Sequence, residues 1–442
     1  MEKYTLFIIG ISLSVILFGI LLFNVIRFVK KGFYKGEDVR VPNLYFLFAL
    51  IIFIAGTTVV SSYGTMIVLE ASFEFYHHIL LIIGSILLGG GMPLLVMSFI
   101  LYYYRPDLNV TERKMLKILM FVSIPLIVIG LWLYTDSVAD FLTYPLWNGL
   151  SFTKGFITPL SSGDLGFNVK FYGALIVIGA GISYFICDHE FYKAFKKHGL
   201  LDTLLLVAFP MGIVGARLWY CFVLEPGLNV FDIRNGGLAI QGGAILGIGS
   251  GVLFMLLFRK YVNIRWAMDV ILPTILIAQG VGRWGNFFNV EVHGLASDAA
   301  NWWFLPKIIL NNSQYSSTAP SLVGEGKIYV PLFLIECISN IAGYFIIKYA
   351  VGKGLRKVLS LGDVGMCYLI WYGLTRVVME PLRSGGYEYS QSFITAIVMM
   401  GAGALGILAF HIYDLIRKKK GLKPRTLETI FKNEEEEETD SL

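Results

Sequence analysis

The sequence predicts an all-α polytopic membrane protein, and three observations support this fold class. Of the 442 residues, 56% are hydrophobic and 15% are charged, whereas charged residues make up about a quarter of a soluble domain. Apolar runs near twenty residues long recur along the chain, and each is long enough to cross about 30 Å of hydrocarbon as a helix. The connections between these runs are alternately rich and poor in Lys and Arg, as in multi-pass proteins.

About eleven apolar runs qualify as spanning helices by length and composition. The first run is too long for the core of a signal peptide, and no small-residue cleavage site follows it, so we expect an uncleaved first helix. The predicted spans are 4–26, 43–68, 77–104, 116–134, 170–187, 201–223, 237–258, 267–288, 330–349, 362–380 and 392–416.

The basic residues predict the orientation of these helices, because segments rich in Lys and Arg resist translocation. Most of the 36 Lys and Arg residues fall in connections that share one side, which places the N-terminus outside and the C-terminus in the cytoplasm. The net charge of +5 then reflects topology. The sequence shows no nucleic-acid-binding module, and we expect no nucleic-acid partner.

A segment rich in turn-forming residues separates the fourth predicted helix from the fifth. It contains Pro145, Pro159 and the run 161–164, Ser-Ser-Gly-Asp. We therefore predict four parts. They are a four-helix membrane block of unknown role at 1–140, an extracytoplasmic linker at 141–168, a seven-helix domain at 169–416 and a charged cytoplasmic tail at 417–442.

The cysteines and the paired histidines indicate neither a disulfide framework nor a metal site. A free Cys behaves as a small apolar residue, and the four cysteines lack a paired spacing. His77 and His78 are adjacent at a predicted helix start, with Glu70 and Glu74 in the short loop before them, and we interpret the pair as interfacial residues. We therefore expect no metal and no cofactor. The cysteines are Cys187, Cys221, Cys337 and Cys367.

The segment 280–294 contains the most informative polar residues, because an apolar helix ends there in a mixture of Gly, Arg, Asn and Glu. An Arg near the end of a spanning helix is costly unless it is paired or faces water, so Arg283 is predicted to be functional. If the helix continues, Asn286 lies one turn further on the same face. A guanidinium beside an amide suits a phosphate and the oxygens around it.

A second group of charged residues lies near the end of the tenth predicted helix. Arg376, Glu380 and Arg383 are spaced i, i+4 and i+7, which predicts one shared helix face with Glu380 orienting both arginines. Two interpretations are open. The group is either an internal ion-pair network that closes the helix bundle or part of the same site as Arg283.

The run 280–294 resembles the signature of the prolipoprotein diacylglyceryl transferase family, Gly-Arg-x-Gly-Asn-Phe-apolar-Asn-x-Glu-x-x-Gly. The agreement continues, in order and spacing, across roughly residues 165–416. It includes the segments 171–173, 215–218, 236–243, 331–336 and 372–383. The residues that match the fixed positions of the signature are Gly282, Arg283, Gly285, Asn286, Phe287, Asn289, Glu291 and Gly294.

Two positions depart from the family pattern. Gln241 stands where many members carry His, and Ile335 stands where Tyr is common. Gln cannot take a proton at neutral pH, so a general base, if one is needed, must come from elsewhere. Glu291 and Glu380 are the candidates nearest the motifs, and His293 is interpreted as a core or loop residue.

The resemblance implies transfer of the diacylglyceryl group from phosphatidylglycerol to the lipobox Cys thiol of a preprolipoprotein, with release of glycerol 1-phosphate. Its partners would be phosphatidylglycerol, the lipobox-bearing signal peptide and membrane lipids, in the bacterial plasma membrane with the site toward the outer leaflet. Phosphate leaves in this reaction, and its developing charge requires fixed cationic donors.

The resemblance also assigns roles to individual residues. Glu291, Glu380 and Arg383 are expected to hold Arg283 and Arg376 in place. The implied catalytic residues are Arg283, Arg376, Glu291 and Glu380, and the implied substrate-binding residues are Tyr172, Gln241, Asn286, Asn289, Gly294 and Arg383.

Two alternatives compete with this activity. In a transporter or channel, Arg217, Arg283 and Arg376 would line an anion pathway, although no internal repeat of the seven-helix block is visible. A relative that binds lipid or lipoprotein without turnover would account for Gln241.

Overall fold

The computed structural model describes a protein that is mostly helical, at 79%. The first two predicted spans, 4–26 and 43–68, lie outside the described residues. The described residues are 75–104, 109–142, 144–153, 156–159, 167–195, 199–226, 230, 239–257, 263–317, 323–383 and 389–421.

Long helices occur at every predicted span that falls within the described residues. Six of the helices in this part of the chain are long and apolar enough to cross a membrane, so the protein is a polytopic helical membrane protein. The long helices are α1 (Phe75–Tyr104), α2 (Val110–Val138), α3 (Phe171–Phe195), α4 (Leu200–Trp219), α5 (Ile240–Leu257), α6 (Ile264–Asn289), α8 (Leu332–Phe345), α9 (Asp363–Met379) and α10 (Tyr389–Lys419).

Shorter elements fill the connections, and the apolar pattern did not predict them. Strand β1 pairs antiparallel with β2 and with β3, so that Leu150 lies opposite Pro159 and Val169. A second, two-stranded sheet joins β4 to β5. The elements are β1 (Gly149–Thr153), β2 (Phe156–Pro159), β3 (Phe167–Lys170), β4 (Ala296–Asp298), the short helix α7 (Lys307–Asn312) and β5 (Lys327–Tyr329).

The chain divides into two compact units, and the first of them contains α1, α2 and α7 with the loop around α7. This unit consists of Met1–Leu146, Ser297–Tyr315 and Ser321–Ile328. Helices α1 and α2 pack with their backbones in contact, because a Cβ on Gly84 would lie 2.5 Å from the backbone N of Tyr134. Small residues allow such close approach between helices in lipid.

Helix α6 lies at the centre of the second unit, Trp147–Ala296, Ser316–Pro320 and Tyr329–Leu442. Helices α3, α8 and α9 pack against it. Its residues Ala267 and Leu276 are fully buried in two apolar clusters. Cys187 and Cys221 are buried and free, in agreement with the packing roles predicted for the cysteines. The core of this unit therefore holds α6, and with it the signature segment, in a fixed position.

Polar side chains bind the start of α9 to α6 and α10. Asp269 on α6 accepts the backbone N–H groups of Gly362 and Gly365 at 2.6 and 2.8 Å. His411 Nε2 lies 2.8 Å from Asp363 Oδ2. A carboxylate that accepts backbone N–H groups at a helix start satisfies donors that have no partner within the helix. These contacts fix the start of α9, the helix that carries Arg376.

Helices α4 and α5 make the closest backbone contact of the second unit's described helices. A Cβ on Gly215 would lie 2.3 Å from the carbonyl oxygen of Gly242, and a Cβ on Gly242 would lie 2.1 Å from that of Gly215. Real Cβ atoms do not approach oxygen so closely. The contact therefore depends on glycine at both positions.

Candidate active site

Helix α6 continues through the signature to Asn289, as the sequence analysis expected, so Arg283 and Asn286 share a face. Arg283 Nη1 donates to Asn286 Oδ1 at 3.5 Å. Asn286 Nδ2 and Asn289 Nδ2 donate in turn to Glu291 Oε1 at 3.0 and 3.3 Å. Glu291 was expected, with Glu380 and Arg383, to hold the arginines in place. In the structure it orients the two amides, of which Asn286 contacts Arg283.

The turn that carries Glu291 has an unusual backbone. Val290 and Val292 both have positive φ angles, 47° and 55°. A branched side chain in the left-handed region costs roughly 1–2 kcal/mol, so such residues persist only where the surrounding structure imposes them. Here the Val290 N–H bonds to the Asn286 and Phe287 carbonyls and closes the helix. The strained pair flanks Glu291 and directs it back toward α6.

Glu336 is the direct partner of Arg283, although no role was predicted for it from the sequence. It lies on α8, is 4% exposed, and places Oε2 2.5 Å from Arg283 Nε. Its other oxygen lies 3.5 Å from Arg383 Nη2. A signal for this residue was present, because a Glu inside an apolar spanning run is costly and marks a functional position.

Glu380 lies between Arg376 and Arg383, as predicted, although the three residues do not share one continuous helix. Helix α9 ends at Met379, a 3₁₀ turn covers Glu380–Leu382, and Arg383 is extended. Glu380 still reaches Arg383 Nη1 at 3.3 Å and Arg376 Nη1 at 3.8 Å. The predicted helix face was wrong because Pro381 lacks the N–H that would continue the α-helix.

These contacts form one connected network of polar groups within the second unit, in which Asn286, Glu336 and Glu380 are buried and the arginines are partly buried. It runs from Glu291 through Asn286 and Arg283 to Glu336, and then through Arg383 and Glu380 to Arg376. Arg376 Nε also donates to Tyr372 Oη at 3.3 Å. A small cavity lies beside the arginines and Glu336 of this network. It is lined by Arg283, Glu336, Asn340, Tyr372, Thr375 and Arg376.

The network retains unused hydrogen-bonding capacity. Among the described residues, Arg383 Nε and Glu380 Oε2 are buried without a hydrogen-bond partner. A buried donor without an acceptor is costly and is typical of a position that a ligand completes. Guanidinium groups held by carboxylates around a cavity suit an anionic, phosphate-bearing ligand.

Tyr172 and Gly294 also lie at this site. A Cβ on Gly285 would lie 2.4 Å from Tyr172 Cδ2, so the Tyr172 ring packs directly on the signature helix. Gly294 pairs with Arg383 in an isolated antiparallel bridge and donates its N–H to the Val330 carbonyl at 2.8 Å. A Cβ there would lie 2.7 Å from Val330 Cβ. Glycine at 294 therefore permits the backbone approach that positions Arg383.

Two other residues named from the sequence are Gln241 and Arg217. Gln241 lies in the first turn of α5, and its side chain is outside the described part. Arg217 is buried on α4, and its Nε donates to the Val230 carbonyl at 3.0 Å. A backbone acceptor thus serves one of the five N–H donors of this arginine.

His293 has the structural surroundings of a loop residue. Its ring stacks on Tyr329 with 4.4 Å between ring centroids, and its Nε2 is hydrogen-bonded with the Ser316 hydroxyl. Burial lowers the pKa of His293, because the charged imidazolium loses hydration. The imidazole is therefore neutral at pH 7 and helps to pack the loop between α6 and α8.

The fold and this network define an integral membrane protein with a buried arginine–carboxylate centre among its helices. A family model described as prolipoprotein diacylglyceryl transferase matches residues 162–409, more than half of the chain. The chain belongs to the prolipoprotein diacylglyceryl transferase family, and it is a transferase. This confirms the resemblance on which the sequence analysis relied.

Curated relatives support the same assignment, and each is named phosphatidylglycerol–prolipoprotein diacylglyceryl transferase. The protein of Mycoplasmopsis pulmonis is 32% identical over 253 residues, which cover 55% of this chain and 77% of that protein. That of Clostridium botulinum strain Langeland is 33% identical over 259 residues, 57% of this chain and 94% of the relative. That of Streptococcus suis strain 05ZYH33 is 30% identical over 262 residues, 58% and 91% respectively.

Proposed function

We propose that this chain transfers the diacylglyceryl group of phosphatidylglycerol to the lipobox cysteine thiol in the signal peptide of a preprolipoprotein. The observation that carries the proposal is the buried network of Arg283, Arg376 and Arg383, held by Glu336 and Glu380 around a small cavity. All five residues lie within 162–409, the part of the chain that the family model matches.

The reaction forms one bond and breaks one bond. The substrate thiolate attacks the glycerol carbon next to the phosphate ester, a C–S bond forms, and the C–O bond to phosphate breaks. The electron pair leaves with glycerol 1-phosphate, whose developing charge requires fixed donors in a site shielded from water. Arg283 and Arg376 line the cavity and are the proposed donors.

The remaining residues position the donors and the headgroup. Asn286, held by Glu291, and Tyr172, which packs on Gly285, are proposed to bind headgroup oxygens. Asn289 and Gly294 support Glu291 and Arg383 respectively. Arg383 joins Glu336 to Glu380, and a direct contact with substrate is proposed for its unused Nε.

The thiol proton requires an acceptor, and Gln241, at the position where many family members carry His, cannot take it. We propose Glu291, because it is bound by two neutral amides and a proton arriving there disrupts no ion pair. Glu380, by contrast, is paired with two arginines. The surrounding cationic groups also favour thiolate formation.

The charge distribution supports a location in the bacterial plasma membrane with the site toward the outer leaflet. With basic connections inside, the end of α6 and the 3₁₀ turn after α9 lie on the outer side. A translocated precursor presents its cysteine there. We also propose that residues 169–416 form the transferase domain, preceded by a membrane block and a linker and followed by a cytoplasmic tail.

The test is formation of the product by the purified full-length protein in phosphatidylglycerol vesicles. The wild type should add a diacylglyceryl mass to the cysteine of a lipobox peptide, and Arg283→Ala should lower the rate by about a hundredfold or more. Arg113→Ala, a change on α2 outside the family match, is the matched control and should keep full activity.

Two results would contradict this proposal. An adduct formed at the wild-type rate by Arg283→Ala would remove Arg283 from the reaction. No adduct from the wild type, with folding and peptide binding verified, would instead support a relative that binds its substrates without turnover.

A further inference from the structure

The outer-loop helix α7 begins without a cap of its own. Its N-cap residue is Pro306, which has no polar side chain. The backbone N–H of Lys307 donates instead to Asp136 Oδ1 at 3.1 Å, although the two residues are 171 positions apart. Asp136 lies in the last turn of α2. A carboxylate at this position satisfies a free N–H and interacts favourably with the helix dipole.

The other end of α7 is bound to the same region of the chain. Asn312, which is 1% exposed, accepts the backbone N–H of Leu146 at 2.9 Å. Just beyond the helix, Tyr315 stacks on Tyr144 with ring centroids 6.5 Å apart. The segment that follows α2 thus holds the C-terminal end of α7, while Asp136 holds its N-terminal end.

A third contact in this region contributes little. Lys307 Nζ lies 3.2 Å from Asp140 Oδ2, but both side chains are about half exposed. Exposed ion pairs contribute between nothing and about 1 kcal/mol. The partly buried Asp136 and the buried Asn312 therefore determine where α7 lies, and the exposed Asp140 does not.

From α7 the chain leads in a few residues to the turn that carries Glu291. Ser317 donates its backbone N–H to the Val290 carbonyl at 2.9 Å, and Ser316 is hydrogen-bonded with His293. Val290 and Val292, the strained residues beside Glu291, thus lie in a turn that this segment supports. The position of the loop after α7 can influence the orientation of Glu291.

We propose that the end of α2 anchors the outer loop and that Asp136 is a positioning residue that acts through α7 on the Glu291 turn. This inference rests on the proposed function for its effect on the reaction. The family match begins at residue 162. The inference therefore gives a role to Asp136, in a part of the chain that the family match does not cover.

The experiment combines hydrogen exchange with kinetics on the full-length protein in phosphatidylglycerol vesicles. In Asp136→Ala, exchange at the amides of Lys307–Asn312 and Ser317 should rise about tenfold, the size expected for loss of one cap. The kcat for a lipobox peptide should fall about tenfold, while the KM for phosphatidylglycerol stays unchanged. Asp136→Asn keeps the Oδ1 acceptor and should restore most of both values.

Glu112→Ala is the matched control, since Glu112 closes the capping box at the other end of α2. It should leave both readouts at wild-type values. An equal loss in Glu112→Ala would overturn the proposal, because the effect would then reflect the stability of α2. Unchanged kinetics in Asp136→Ala would overturn it as well.

The two proposals can fail separately. If the wild type forms no adduct, the proposed function fails, while amide exchange still decides whether Asp136 anchors α7. If the wild type is active and exchange at Lys307–Asn312 is unaffected by Asp136→Ala, the anchor fails and the function stands.

Discussion

At Glu336 one buried carboxylate lies against two guanidinium groups, those of Arg283 and Arg383. Each of these arginines would be costly alone among apolar helices. Sharing a counter-charge makes the pair tolerable and at the same time fixes the distance between two elements, the end of α6 and the turn after α9. The geometry of the site therefore depends on this residue of α8.

Replacing Glu336 by Gln tests this dependence. The amide has nearly the same size but leaves two buried guanidinium groups without their shared charge, so we expect kcat to fall at least about tenfold. Because breaking a buried pair costs about 3–5 kcal/mol, the thermal midpoint should fall too. Glu325→Gln, at an exposed carboxylate of the loop between α7 and α8, is the control. A fully active Glu336→Gln protein would show that the ion pair serves packing alone.

At the scale of elements, α4 and α5 show how glycine determines the packing of two helices. Gly215 and Gly242 leave no space for a Cβ, since each would meet the other's carbonyl oxygen. In lipid, helices gain no hydrophobic free energy by pairing, so close van der Waals contact and small residues drive their association.

Gly242→Ala should therefore destabilise the protein. The added methyl group forces the two backbones apart, at a cost of roughly 1–3 kcal/mol. Gly249→Ala is a matched control on the same helix, because a Cβ there meets nothing within 4 Å. It should leave stability unchanged or raise it, as alanine favours helix. Thermal unfolding in detergent measures both variants, and equal midpoints would contradict the packing argument.

At the scale of the whole molecule, the stability of the protein should depend on pH through His293. Burial lowers the pKa of this imidazole in the folded protein, so the unfolded chain binds the proton more readily. Stability is complete above about pH 6.5, the ordinary pKa of His, and is lost as the pH falls toward the lower folded pKa. In His293→Gln, the thermal unfolding midpoint should change less between pH 7 and pH 5 than it does in the wild type. A wild-type midpoint independent of pH would contradict this role.

The helices of this molecule could be predicted, because apolar length is a local property of the sequence. The contact between Arg283 and Asn286 could be predicted too, since helix geometry places residues three apart on one face. The partner of Arg283 could not be obtained in this way. Glu336 comes from another helix, and Asp136 reaches Lys307 across 171 positions. Such pairings depend on how separate elements pack together. The helical repeat of polar and apolar residues along the sequence carries no information about this packing.

The ion pair between Arg283 and Glu336 can form only late in the synthesis and membrane insertion of the protein. The ribosome delivers α6 before α8, so Arg283 meets the bilayer before its carboxylate has been made. An arginine at the end of a spanning helix is tolerated when its side chain reaches the polar surface of the membrane. We expect the end of α6 to remain at that surface until α8 has entered, so that the arginine–carboxylate network forms only after the last helices have been inserted.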